Sequence, residues 1–314
     1  MKKLIMCTLG LAALFCAACV DNSTNGSGGG EVDALLEKYN NPNGGSGGGN
    51  SLVLGNGQAW TSGNFGYIFT SNNRFFEIYK VGGSWWYADS GIYLTSGDII
   101  TINSVSESYN VSGDVLKYTH TFAKTNGISP QTGLPSFVDS RDNQSYNAKK
   151  IGTQVWMTKN MNYDVPSVIS DVCYDNNPSY CVSYGRLYDW NTAKNAACPA
   201  GFHLPSDSEW DILVNFAGGE STAMRKLKSK IGWSDGWSDN GNSGTDEYGW
   251  SALPGGKGMS GGHFSYAGES GYWWSASEYD ASSARNWYMD YQYDHVAWEN
   301  YSKTNLYSVR CVQD

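Results

Sequence analysis

Clustered positive charge is what this 314-residue sequence most plainly lacks: Lys and Arg number 21 against 30 Asp and Glu, for a net charge of −9. Contact with a nucleic-acid backbone needs basic side chains gathered on one face, so that class of partner is excluded. Histidine is scarce as well, with only His120, His203, His263 and His295. No Cys-x-x-Cys spacing accompanies them, which argues against structural zinc. No serine sits in a nucleophile elbow between a strand and a helix, so a Ser/His/Asp hydrolase has no local support. The one long apolar run, residues 4–18, is too short to span a bilayer comfortably as a permanent helix.

What stands at the start is Met1-Lys2-Lys3 followed by that run, the charged and apolar regions of a secretory signal. It ends in Cys16-Ala17-Ala18-Cys19, where two small residues precede a cysteine, as a lipoprotein signal peptidase requires. Cys19 is the expected lipidation site. Bulky Phe15 makes Cys16 the poorer candidate, and a plain secreted protein cut after Ala18 is the alternative. The motif departs from the usual one in carrying Cys16 where Leu normally opens it. Val20 rather than Asp after the cysteine agrees with sorting to the outer membrane, so the expected location is lipid-anchored there and surface-exposed.

With Cys7 and Cys16 removed and Cys19 lipidated, Cys173, Cys181, Cys198 and Cys311 remain. An even remainder in an exported chain predicts two disulfides in an oxidising compartment. Cys173 and Cys181 are close in sequence, whereas Cys198 to Cys311 closes almost the whole C-terminal region. Loop-closure entropy assigns them about 2.6 and about 4.8 kcal/mol respectively.

Aromatic residues are abundant, with 13 Trp and 22 Tyr against 10 Phe. Trp and Tyr join an apolar face to a hydrogen-bonding edge, which suits half-wet surfaces as well as cores. Residues 19–50 are a Gly/Ser/Asn-rich tether that cannot bury a core. Residues 51–124 read as a small antiparallel all-β domain of short runs broken by glycine, among them Gly66-Tyr-Ile-Phe-Thr70, Arg74-Phe-Phe-Glu-Ile-Tyr79 and Val115-Leu-Lys-Tyr-Thr-His-Thr-Phe122. Its order of strands and glycine turns resembles the small lipocalin-like sheets or barrels of bacterial lipoproteins. Residues 125–134 read as a linker, and residues 135–314 as a second, α+β domain. In that domain residues 186–197 look helical, as does the stretch after the capping box Ser206-Asp-Ser-Glu209, with a third helix over 222–231. Strands are expected at Thr153-Gln-Val-Trp-Met-Thr158, Gly249-Trp-Ser-Ala-Leu-Pro-Gly-Gly256, Gly271-Tyr-Trp-Trp-Ser-Ala-Ser277, 286–293 and Leu306-Tyr-Ser-Val-Arg-Cys-Val312.

A series of short motifs in the second domain is specific. Ile151-Gly-Thr-Gln-Val-Trp-Met157, Asn160-Met-Asn162, Tyr184-Gly-Arg-Leu-Tyr188, Cys198-Pro-Ala-Gly-Phe-His-Leu-Pro-Ser206, Gly249-Trp-Ser-Ala-Leu-Pro-Gly-Gly256, Tyr272-Trp-Trp-Ser275 and Ser308-Val-Arg-Cys-Val312 follow in order. This resembles the Fibrobacter succinogenes major paralogous domain across essentially the whole second domain. The resemblance implies a domain of exported bacterial lipoproteins, with a fold related to C-type lectins and the formylglycine-generating enzyme. In such a fold the chain ends lie together and the terminal Val-Arg-Cys-Val strand is bonded back to an early cysteine, in agreement with Cys198–Cys311. The enzyme's pair of active-site cysteines is not reproduced, because Cys311 is the sole late cysteine and is needed for a staple.

Three sets of residues are candidates for chemistry. Asp235, Asp239, Asn242, Asp246 and Glu247 place hard oxygen ligands on a glycine-rich stretch and form a candidate Ca²⁺ site, although the Glu-Pro-Asn, Gln-Pro-Asp and Trp-Asn-Asp signatures of calcium-dependent lectins are absent. His203, between Phe202 and Leu204, is expected to be a hydrogen-bonded core residue rather than a catalytic one. Trp274, Tyr288 and Trp298 are the expected exposed rings for stacking on a ligand, with Trp273 the alternative to Trp274, since neighbours on a strand face opposite ways. On this reading the chain is a lipid-anchored surface protein that binds glycans or another exterior partner, or mediates adhesion, without catalysis. An enzyme on a formylglycine-enzyme-like scaffold and a structural envelope component are the alternatives. Cys19→Ala is expected to move the protein from the membrane to the soluble fraction on cell fractionation; a variant still pelleted with washed membranes would exclude the anchor.

Overall fold

The computed structural model describes residues 56–70, 74–96, 99–102, 105–108, 110–112, 115–117, 121–125, 128, 130–131, 134–166, 171–234, 244–292 and 295–314. Cys19 and the tether lie outside the described residues. Within them the protein is mostly β, with several sheets, few helices and two disulfides.

The first sheet is an antiparallel meander. Its strands are β1 (Asn56–Ser62), β2 (Phe65–Thr70), β3 (Arg74–Val81), β4 (Ser84–Ser96), β5 (Ile99–Ile102), β6 (Val105–Ser108), β7 (Asn110–Ser112), β8 (Val115–Lys117) and β9 (Thr121–Thr125). The spatial order is β6-β5-β4-β3-β2-β1-β9-β8-β7. The stretch 115–122, expected as one strand, is divided between β8 and β9, which pair with each other. Alternating side chains bury Trp60, Phe69, Phe75, Tyr93, Ile100, Ile102, Leu116 and Phe122 together. Gly82 and Gly83 turn β3 into β4 with φ of 57° and 83°. Two consecutive positive φ values match the twist of a hairpin, and only glycine adopts them cheaply. Gly82 is doubly constrained, because a Cβ there would lie 2.7 Å from Cβ of Phe137.

That contact begins the junction with the rest of the chain. Tyr79, Val81 and Trp86 from β3 and β4 share one core with Tyr146, Met157, Tyr188, Trp274 and Val309. The Gln131 amide donates to the Trp85 carbonyl and its carbonyl accepts from Tyr87, so the connector runs against β4. Gln313 Nε2 reaches the Lys80 carbonyl at 2.7 Å, and Lys150 Nζ lies 3.0 Å from Glu77.

Thirteen further strands follow: β10 (Ser136–Val138), β11 (Ser145–Ile151), β12 (Gln154–Met157), β13 (Asp171–Val172), β14 (Leu187–Tyr188), β15 (Phe202–His203), β16 (Gly255–Met259), β17 (His263–Ala267), β18 (Ser270–Glu278), β19 (Ser283–Asp290), β20 (Ala297–Ser302), β21 (Tyr307–Ser308) and β22 (Val312–Gln313). One sheet has the order β10-β11-β12-β22-β15. The other runs β13-β14-β21-β18-β16-β17, with β19 and then β20 on the far side of β18.

The expected C-terminal strand 306–312 is therefore two strands in different sheets. β21 pairs with β14 and β18, and β22 pairs with β12 and β15. The chain crosses between sheets at Val309-Arg310-Cys311, and Arg310 is completely buried there. Its Nε and Nη2 donate to Asn160 Oδ1 at 3.0 and 2.7 Å, Nη1 donates to the Trp250 carbonyl, and the guanidinium lies 4.2 Å from the Trp250 ring. Asn160 Oδ1 also accepts from Trp273 Nε1 at 2.9 Å, and its Nδ2 donates to the Tyr184 carbonyl at 2.8 Å.

The capped helix, Asp207–Phe216, follows the sequence reading: the Glu209 carboxylate accepts from Ser206 N at 2.8 Å and from Ser206 Oγ at 2.7 Å. Trp210, Leu213 and Val214 form its buried face. The third expected helix is Glu220–Leu227, ending before the backbone of Lys228 and Ser229 pairs with Ala252. The expected helix 186–197 is broken. Leu187 and Tyr188 extend to pair with Ser308 and Tyr307, and Asp189 then caps a short turn, Trp190–Thr192, that runs into a π-helix, Ala193–Ala197. Strand pairing to the buried terminus outweighs local helix propensity there.

Both disulfides form, with Cα–Cα distances of 5.0 Å for Cys173–Cys181 and 5.9 Å for Cys198–Cys311. The second ties the crossing segment to the end of the π-helix. Because Asn160 serves both Arg310 and Trp273, Asn160→Ala is expected to cost about 2–4 kcal/mol by leaving a buried guanidinium and an indole N–H short of an acceptor. Urea unfolding with an unchanged m-value checks it.

Candidate functional site

β18 separates two aromatic cores. On one side Trp156, Trp210, Trp250, Trp273 and Trp287 touch one another, with ring centroids 5.2–6.4 Å apart, and Trp210 stacks on Trp287 at 14°. On the other side Trp274 lies 4.4 Å from Tyr307 and donates from Nε1 to the Tyr188 carbonyl at 2.8 Å. Trp273 and Trp274 are thus both fully buried. The expectation that Trp274, or Trp273 in its place, is exposed is corrected: β18 is an interior strand covered on both faces, so alternation sends each ring into a different core.

The register places Trp298 opposite Trp287, on the tryptophan side. It is 43% exposed, but the Arg285 guanidinium covers its ring at 3.9 Å and is itself paired with Asp207 at 2.9 Å. Tyr288 pairs with Tyr272 and belongs to the opposite face, half-buried. The three expected rings are not brought together.

What gathers instead is a group of tyrosines around Lys257. β16 lies parallel beside β18, so Lys257 is on the face of Tyr272. Its Nζ is 4.8 Å from the Tyr272 ring, 5.0 Å from Tyr301 and 5.2 Å from Tyr266. Tyr272 stacks on Tyr288 at 5.8 Å and on Tyr307 at 5.5 Å. Tyr266 is the most open of these rings, at 46% exposure. Strict alternation along β17 would turn it away from Lys257. Its positive φ of 69° interrupts the pairing between Gly255↔Ala267 and Lys257↔Ser265 and carries the ring to the lysine side. A bulky residue in that conformation costs on the order of 1–3 kcal/mol, a strain characteristic of ligand clamps and active sites.

The electrostatics of this face are unusual for a protein of net negative charge. Burial lowers the Lys257 pKa, against an opposing pull from Glu299. Burial, joined by a hydrogen bond with Glu299, pushes the Tyr301 phenol up to about 12, and burial also raises Tyr272 and Tyr307. The phenols are therefore neutral at physiological pH and offer hydroxyls and π faces. Asn286 is on the same face, register-paired with Trp274 on one side and Glu299 on the other.

His203 and His263 lie on separate strands, β15 and β17, and His120 lies outside the described residues. His203 is half-exposed, with Nδ1 2.7 Å from Asp314 Oδ1 and Nε2 2.7 Å from Glu209 Oε1, so both ring nitrogens are occupied. His203 is a pinned strand residue rather than the core residue expected. His263 is exposed at the start of β17. Asp235, Asp239 and Asn242 of the candidate Ca²⁺ set lie outside the described residues. Asp246 accepts from Ser251 N and Oγ at 2.7 and 2.5 Å, and Glu247 faces Lys226 at 3.7 Å. Among the described residues no group of three or more His, Cys, Asp or Glu side chains could hold a metal ion.

A family model described as the Fibrobacter succinogenes major domain matches residues 150–313. The chain belongs to that family. The matched region holds the Arg310 crossing, the long disulfide and every ring around Lys257. Comparison with curated proteins finds no match, and comparison with solved structures finds none either.

Lys257 was missed because a lysine between Gly256 and Gly258 carries no motif; the signal that was present was the series Tyr266, Tyr272, Tyr288, Tyr301 on four successive strands. His203 gives a pH test. Burial pulls its pKa down, but the Asp314 and Glu209 carboxylates outweigh that and leave it raised. A raised folded-state pKa contributes stability that is fully present below about 6.5 and is lost as pH rises through the folded value. His203→Gln is accordingly expected to lower Tm more at about pH 5.5 than at about pH 9; an equal loss at both would show that the carboxylates do not act on the charged imidazole.

Proposed function

We propose that this protein is exported, lipidated at Cys19 and held at the outer membrane, where it binds a glycan or another exterior partner without catalysis. The observation that carries this reading is the tyrosine face around Lys257. Sugar C–H faces stack on aromatic rings while hydroxyls take hydrogen bonds, and Tyr266, Tyr288 and Tyr301 provide both kinds of contact. The strained backbone under Tyr266 supports a role beyond packing, since a core ring could have been supplied by ordinary alternation.

The C-type-lectin-like reading of the second domain draws support from its joined ends. β12 near the start pairs with β22 at the end, and Cys198–Cys311 staples the same region. The antiparallel meander of the first sheet is compatible with the lipocalin-like reading. Catalysis is the weaker alternative, because a general base needs a free nitrogen or carboxylate and those of His203 and Glu209 are engaged with each other and with the helix cap.

A glycan array probed with the full chain, with and without Ca²⁺, tests the proposal. Tyr266→Ala is expected to weaken the captured glycans about 3- to 10-fold while leaving Tm nearly unchanged. An array with no captured glycan, or binding unaffected by the substitution, would count against this face.

A further inference from the structure

The tyrosine face contains one charge, on Lys257, that no side chain among the described residues neutralises by contact. We propose that this charge is kept for the ligand: the site takes a saccharide carrying a carboxylate, a hexuronate, with Lys257 as its counter-ion. The inference rests on the glycan reading of the same face and narrows it to a chemical class.

Lys257 is 93% removed from solvent, yet among the described residues its ammonium has neither an ion pair nor a hydrogen bond. Three ring faces hold it instead. A π face stabilises a cation without cancelling its field, as a contacting carboxylate would, so the ammonium stays attractive to an anion. The one carboxylate that acts on it, Glu299, is exposed and bonded to the Tyr301 hydroxyl. Desolvation strengthens the point, because a partly dehydrated ammonium gains more from an incoming carboxylate than a surface lysine does.

Asn286 is an independent observation on the same face. It is fully buried, and among the described residues neither its Nδ2 nor its Oδ1 has a partner. A native interior leaves few polar side chains idle at both ends, and those it does leave mark places where a polar partner completes the set. The register sets this amide beside Trp274 and Glu299, one pleat from Tyr288. Stacking rings, an amide that both donates and accepts, and a single cation match the three parts of a hexuronate: its ring face, its hydroxyls and its carboxylate. A neutral sugar would leave Lys257 unused. A small inorganic anion would leave the rings unused.

The test is calorimetric titration of the full chain with oligogalacturonate and with an oligoglucuronate, each beside its carboxyl-reduced neutral counterpart. The acids are expected to bind at least about tenfold tighter than their reduced forms. Lys257→Met should abolish that difference and leave Tm unchanged or raised, since an apolar chain of similar length replaces a buried charge. Lys257→Arg should retain the preference. Equal affinity for acids and reduced forms would overturn the hexuronate inference and leave glycan binding standing; binding of neither would overturn both. A Lys257→Met chain that melts far below the wild type would make the lysine structural and would likewise overturn it.

Discussion

Arg310 is the side chain on which the second half of the molecule depends. A guanidinium buried completely is costly, and burial, against an opposing pull from Asp246, lowers its pKa to about 9. The cost is offset because Asn160, the Trp250 carbonyl and ring, and the Met157 and Ser251 carbonyls converge on it. Those partners come from two stretches of sequence, both far from residue 310, so none of the contacts exists until the chain is folded. The residue also marks where the terminal segment leaves one sheet for the other, and Cys311 beside it carries the long disulfide. A local substitution here therefore reaches both sheets.

The same crossing sets the character of β18. With β21 on one edge and β19 on the other, β18 lies inside the sheet and has a core on each face. One face gathers tryptophans against the helix Asp207–Phe216, where large rings fill volume. The other gathers tyrosines, with Tyr266 the most open ring, while Tyr307 and Trp274 pack beneath. The chemical division between the faces follows from the alternation of a strand two-sidedly buried, which sends Trp273 to one side and Tyr272 and Trp274 to the other.

The first sheet is not independent of this arrangement. Tyr79, Val81 and Trp86 enter the core that also holds Trp274 and Tyr307. Gln313, the last residue of β22, bonds to Lys80. Stability of the meander and stability of the tyrosine side are thereby linked, since a core shared by two sheets loses contacts from both when either loosens.

Features resting on local rules are legible in the sequence. The capping box at Ser206 and Glu209, the Gly82-Gly83 turn and the strand around Trp273 depend on neighbours within a few residues. The cysteine count alone sufficed for two disulfides, and a string of short motifs for the family. Other features depend on partners far away in sequence. Alternation showed that Trp273 and Trp274 face opposite ways but could not show that both sides are covered, because that depends on strands that reach β18 from elsewhere in the chain. The break in the helix expected over 186–197 came from pairing with Tyr307 and Ser308, more than a hundred residues on. Lys257 had no motif, and its meaning arises only when β16, β17, β18 and β20 bring three tyrosine rings around one ammonium. Sequence by itself determined the family, the staples and the local elements, since those follow from residue type and short spacing; which rings are core and which surround a charge was decided by tertiary structure, since burial is a property of what arrives from elsewhere.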